Sequence, residues 1–136
     1  MTGSSILKAL VAVSLTAQPA IAASYDGAQP FSCATSDIVS CAPGGGCEKE
    51  TAESINLPAF LTFDVADKKI TGTRPSGEVL ATTIDTVRHV QDNLALQGVQ
   101  DRVAWTVTID RESGDMALAA MGGGVGYIVF GACRPQ

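Results

Sequence analysis

Gly126-Tyr127-Ile128-Val129-Phe130-Gly131-Ala132-Cys133 is the stretch whose reading decides the fold. It is the most concentrated run of strand-favouring residues in the chain, and it closes on a cysteine. Val125, Tyr127 and Val129 form one alternating set, and Ile128, Phe130 and Ala132 form the other. Both sets are apolar or small, which predicts a strand covered on both faces, as in a barrel or sandwich.

Upstream of this strand the alternation is cleaner. Val103, Trp105, Val107 and Ile109 interleave with Ala104, Thr106, Thr108 and Asp110, an inside-outside pattern of period two. Arg111-Glu112-Ser113-Gly114 closes a hairpin into Met116-Ala117-Leu118-Ala119-Ala120, and Gly122-Gly123-Gly124 leads into the closing strand. Val79 to Val90 reads as one long strand, because its Thr82-Thr83-Ile84-Asp85-Thr86-Val87 centre is too rich in β-branched residues for a helix. Phe60 to Asp64 is a strand, Lys69 to Thr73 its return, and Arg74-Pro75-Ser76-Gly77 a turn. Phe31 to Ser36 and Asp37 to Cys41 read as two separate β segments, and Thr51 to Leu57 has no period. The sum is an all-β domain: a small antiparallel meander that closes into a barrel of about eight strands once its first and last strands meet.

The first residues stand apart. Ile6 to Leu15 is mostly apolar, Lys8 is the only charge before Asp26, and Ala20-Ile21-Ala22 has the small-x-small pattern of a cleavage site. Residues 1–22 are therefore expected to be a signal peptide and 23–136 a single domain, exported to the periplasm or secreted, with no membrane anchor after cleavage. Without Lys8, the 9 basic residues become 8 against 14 acidic ones, a net charge of −6. That balance disfavours nucleic acid and suits a neutral or basic partner, such as another periplasmic protein.

Four cysteines in an exported chain of this size imply two disulfides, with three pairings formally open. Cys41 and Cys47 flank the turn-forming Ala42-Pro43-Gly44-Gly45-Gly46, which favours a bond between them. Cys33 and Cys133 then tie the first strand to the last.

Chemistry-bearing residues are sparse. His89 is the only histidine and reads as a strand-end residue. Asp110 to Asp115 resembles a fragment of a calcium loop but lacks the terminal glutamate, so a tight hairpin explains it. Asp64 and Asp67 beside Lys68 and Lys69 read as a charged turn, and no carboxylate pair has a spacing that supports hydrolysis. Gly122 to Gly124 precedes a strand rather than a helix and is no phosphate cradle. Trp105 and Tyr127 are core pieces with the capacity to stack on a ligand inside a barrel. No cofactor or metal is expected.

Phe31-Ser32-Cys33 near the start, turn-rich strands between, and Phe130-Gly131-Ala132-Cys133 at the end resemble small exported β-barrel proteins of proteobacteria. The layout is also similar to that of the periplasmic C-type lysozyme inhibitors. Those inhibitors present a Ser-Gly-x-x-Tyr loop to their target. Here Ser76-Gly77-Glu78-Val79-Leu80 and Ser113-Gly114-Asp115-Met116 have the Ser-Gly and lack the tyrosine. The resulting expectation is a non-catalytic, inhibitor-like interaction module using the loops at Ser76, Gly77 and Glu78 and at Ser113 and Gly114. A small lipocalin-like ligand-binding barrel is the alternative, and a hydrolase stands behind both.

Overall fold

The computed structural model describes residues 24–136, so the segment read as a signal peptide lies outside the described residues. Ten strands form along them: β1 (Phe31–Ala42), β2 (Gly46–Glu50), β3 (Phe60–Asp64), β4 (Lys69–Thr73), β5 (Val79–Thr83), β6 (Thr86–Val90), β7 (Asn93–Gln100), β8 (Val103–Asp110), β9 (Asp115–Gly122) and β10 (Val125–Pro135). No helix among them is long and apolar enough to cross a membrane.

All neighbouring strands pair antiparallel in one curled sheet, with the order β5-β4-β3-β1-β10-β9-β8-β7-β6 and β2 attached to β1. The chain's first and last strands meet along β1 and β10, where Cys33 lies opposite Cys133. Disulfides join Cys33 to Cys133 and Cys41 to Cys47, each pair sitting directly across a ladder.

Three details differ from the sequence reading. The two β segments expected between Phe31 and Cys41 are one strand, bent by an irregularity between Thr35 and Ile38. That bend lets β1 pair β3 through Phe31–Ala34 and β2 through Ile38–Ala42 on the same edge. The strand expected over Val79 to Val90 breaks at Ile84 and Asp85 into β5 and β6. The third difference is that there are ten strands rather than about eight, and no β5–β6 ladder closes the hydrogen-bonded path into a barrel. The two ends of the path are nevertheless consecutive in the chain. The Ile84 amide donates to Lys68 O at 2.9 Å beside β4, and the Asp85 amide donates to Gln97 O at 2.8 Å on β7.

Gly98 permits this bend. A Cβ there would stand 2.5 Å from Thr83 O and would overlap the Trp105 ring, which lies across β7 at the paired position. Gly98→Ala is expected to destabilise the fold by roughly 1–3 kcal/mol, the usual range for overpacking. A denaturation midpoint unchanged by the substitution would show that the bend does not depend on this contact.

The core follows from inward alternation. Phe63 and Phe31 stack with ring centroids 5.2 Å apart, and Tyr25 meets Phe31 edge-on at 5.6 Å. The Tyr25 hydroxyl donates to Cys133 O at 2.9 Å, which fixes the lead-in against the β1–β10 seam. Leu94, Leu96, Val107, Ile109 and Met116 complete this well-packed half.

The closing strand is not covered on both faces. Val129 and Cys133 are buried, whereas Ile128 is 40% and Phe130 47% exposed. A single sheet has one inner face, and nothing among the described residues packs on the outer side of β10.

Candidate ligand cavity

Antiparallel pairing places the β1–β2, β4–β5, β7–β8 and β9–β10 turns at one end of the sheet, and the β3–β4, β6–β7 and β8–β9 turns at the other. The second end is filled by Tyr25, Phe31 and Phe63. The first end is not. There the inward positions of the strands surround a cavity of about 250 Å³.

Six strands supply most of the wall by their period of two. Leu61 comes from β3, Ile70 from β4, Leu80 and Thr82 from β5, Val103 and Trp105 from β8, Leu118 and Ala120 from β9, and Tyr127 and Val129 from β10. The paired positions Ala120, Trp105 and Tyr127 explain the space: a methyl side chain stands between two aromatic ones. Trp105 Nε1 donates to Thr82 Oγ1 at 3.2 Å, so the indole is fixed in orientation with its polar edge satisfied.

The loop over 51–57 carries Ile55 and Leu57 to the cavity. It is braced at both ends. Glu50 Oε2 accepts from the Ser54 hydroxyl at 2.6 Å, and Glu50 Oε1 accepts from the Ser40 hydroxyl at 2.7 Å. At the far end Arg74 Nη1 donates to Asn56 O at 2.8 Å, and the Ser76 amide donates to Asn56 Oδ1 at 3.1 Å. Asn56 itself has a φ of 51°, a left-handed conformation that asparagine tolerates.

The hydroxyls of Ser54 and then Ser40 hold the Glu50 carboxyl below its ordinary pKa of 4.5. A depressed carboxylate pKa stabilises the fold above the ordinary value, and that contribution is lost as pH falls through the lowered one. Acidification below the ordinary carboxylate range is therefore expected to lower the amide protection factors of Ser54 to Leu57 before those of the β7–β8 amides. Equal protection of both regions throughout an acid titration would separate the loop from Glu50.

The two loops expected to present a surface lie at opposite ends. Ser76, Gly77 and Glu78 form the β4–β5 turn beside the cavity, closed by Gly77 N→Arg74 O at 2.8 Å and Arg74 N→Glu78 O at 2.9 Å. Ser113 and Gly114 sit at the packed end. Gly114 is buried, and a Cβ there would stand 2.7 Å from the Tyr25 ring, so this glycine serves packing rather than display. Asp110 Oδ1 accepts from the Ser113 and Glu112 amides at 2.7 and 3.0 Å, which makes the calcium-like segment a self-satisfied hairpin turn. Those two amides, Ser113 first, lower the Asp110 pKa. His89 is exposed on β6. Among the described residues no group of three or more His, Cys, Asp or Glu side chains could hold a metal ion.

Sequence reasoning named Trp105 and Tyr127 as side chains able to meet a ligand, and the structure brings both to the cavity wall. It missed Arg74, Ile55 and Leu57. The available signal was an apolar pair in a segment with no period, which implies that the loop covers something.

A family model described as "Putative Ig domain" matches residues 8–108, more than half of the chain. No curated protein and no solved structure matches it. Ig-like domains are antiparallel β-sandwiches and are generally non-catalytic. Their architecture favours a sandwich over a closed barrel, and a curled sheet whose Leu61, Phe63 and Ile70 share one core with Leu94, Leu96 and Val107 is compatible with it. With the two disulfides, the match is also compatible with an extracellular or secreted protein. The chain belongs to this family of Ig-like domains.

Proposed function

We propose that the chain is a non-catalytic, exported binding domain that takes up a small, largely apolar ligand beneath the 51–57 loop. The supporting observation is the cavity of about 250 Å³ beside an otherwise close-packed core. The cavity opens to solvent, and an apolar wall left wet forgoes about 25 cal/mol for each Å² of apolar surface that a ligand would cover. Water is a poor occupant, because each ordered water needs two to four polar partners and the wall is mainly Leu, Ile, Val and aromatic carbon. A ligand of matching shape recovers the lost contacts.

The reading includes a functional closure of the sheet. β5 and β6 act as one bent stave bridging β4 and β7, which gives a barrel of about eight staves with the cavity at one mouth. Residues 1–22 act as the export signal, and the domain works in the periplasm or outside the cell. Trp105 is the single tryptophan and lies on the cavity wall, so its fluorescence reports occupancy directly. Linear alcohols of rising chain length are expected to produce saturable changes whose affinity grows with each methylene until the cavity is full. A response that never saturates, or is independent of chain length, sinks the proposal.

A second reading, docking of another exported protein, draws on the outer sheet face. Phe60 is 66% and Met121 64% exposed, alongside Ile128 and Phe130. The net negative charge suits a basic partner there. An inhibitor of lysozyme type has the end-to-end disulfide as its support and lacks the tyrosine-bearing loop. Loss of partner binding in Phe130→Ser with cavity binding intact is the result that favours docking.

A further inference from the structure

We propose that Arg74 is the polar anchor of the cavity and selects ligands whose apolar body ends in a carboxylate. The inference rests on the cavity reading and adds the chemistry of the ligand's head.

Arg74 lines the cavity from the β4–β5 turn, with a side chain only 22% exposed. Its guanidinium has donors to spare. Nη1 is committed to Asn56 O at 2.8 Å, but Nε is buried without a hydrogen-bond partner. Glu78 Oε2 forms a long ion pair with Nε at 3.9 Å, beyond hydrogen-bond reach, and the Glu78 side chain is 73% exposed to water, where such a pair is weak. Nε is closed off from water and ligand alike, so the donors open to an acceptor are the remaining guanidinium N–H groups, and a largely buried cation is costly unless an acceptor meets it. The planar guanidinium fork suits a carboxylate better than a hydroxyl, because it offers parallel charge-assisted bonds.

The other polar lining residues, Thr82, Gln100 and Asp101, are neutral or acidic, so none of them offers a carboxylate a positive charge. Trp105 Nε1 is already bound to Thr82 Oγ1. Asp101 is exposed on the β7–β8 turn, where water screens it. An apolar body packed against Leu80, Leu118 and Tyr127 thus leaves its acidic end for Arg74. Because Arg74 also holds Asn56, an anion there draws on the same side chain that braces the covering loop.

The test is competitive binding of octanoate and 1-octanol at neutral pH, read by Trp105 fluorescence. A charge-assisted hydrogen bond corresponds to about tenfold or more in affinity, so wild-type protein is expected to prefer octanoate by at least that factor. Arg74→Gln is expected to abolish the preference while octanol still binds. Glu78→Gln, an exposed substitution that leaves the fold alone, is expected to strengthen octanoate binding severalfold and leave octanol unchanged. If octanol binds wild type and octanoate gains nothing, or if both glutamine variants keep the wild-type ratio, the role of Arg74 is overturned and the cavity reading stands. If neither compound binds wild type, the cavity reading itself falls.

Discussion

Replacing Cys33 and Cys133 together by alanine is expected to lower the stability of the domain by about 4–5 kcal/mol. The bond spans a sequence separation of 100 residues, and the entropy a crosslink removes from the unfolded chain grows with the logarithm of its loop. Cys41 and Cys47, separated by 6, close a loop whose removal costs only about 2–2.5 kcal/mol by the same relation. For a domain of this size the first loss lowers the melting temperature by roughly 15–20 °C and the second by about half of that. The native state adds to the contrast. Cys33 and Cys133 are buried in the β1–β10 seam, where the Tyr25 hydroxyl also bonds to Cys133 O, whereas Cys41 and Cys47 staple an exposed hairpin. Melting of the two double variants side by side checks the order. Equal losses would mean that the seam is held by its ladder and packing rather than by the crosslink.

Phe63→Ala is expected to cost about 3–5 kcal/mol. Phe63 has no exposed surface and stacks on Phe31 at the packed end of the sheet, so truncation leaves a hole bounded by strands on every side. Partial collapse is restricted because Phe31 is itself held by Tyr25. A chemical denaturation curve with an unshifted midpoint would place the main core elsewhere.

The strand content was legible because alternation and turn residues are local. Val103 to Asp110 reads as a strand with Trp105, Val107 and Ile109 inward, and β8 has that pattern. The closing strand was legible as a strand and as one side of the seam. Its exposure was not, since alternation sorts side chains onto two faces without saying whether anything covers the second. The bend at Ile84-Asp85 was hidden for a different reason. Its cause is non-local, in the acceptors Lys68 O and Gln97 O and in the absence of a side chain at Gly98, while the local run of Thr, Ile and Val favours one straight strand.

The cavity was half legible. Trp105 and Tyr127 stood out as large amphipathic side chains in an aromatic-poor chain. Arg74 read only as the start of a turn, because nothing in sequence brings it to Asn56 or leaves its Nε without a partner. The 51–57 loop lacks a period, so its covering role emerges only from the brackets at Glu50 and Asn56.

On the proposed function, the inner end of the sheet and not its outer face receives a ligand. Methyl-resolved NMR during a titration with 1-octanol tests it most directly. The expected result is a saturable set of shifts confined to Ile55, Leu57, Leu80 and Leu118, with Ile128 and Met121 unmoved. Shifts centred on Ile128 and Met121, or none that saturate, would contradict it.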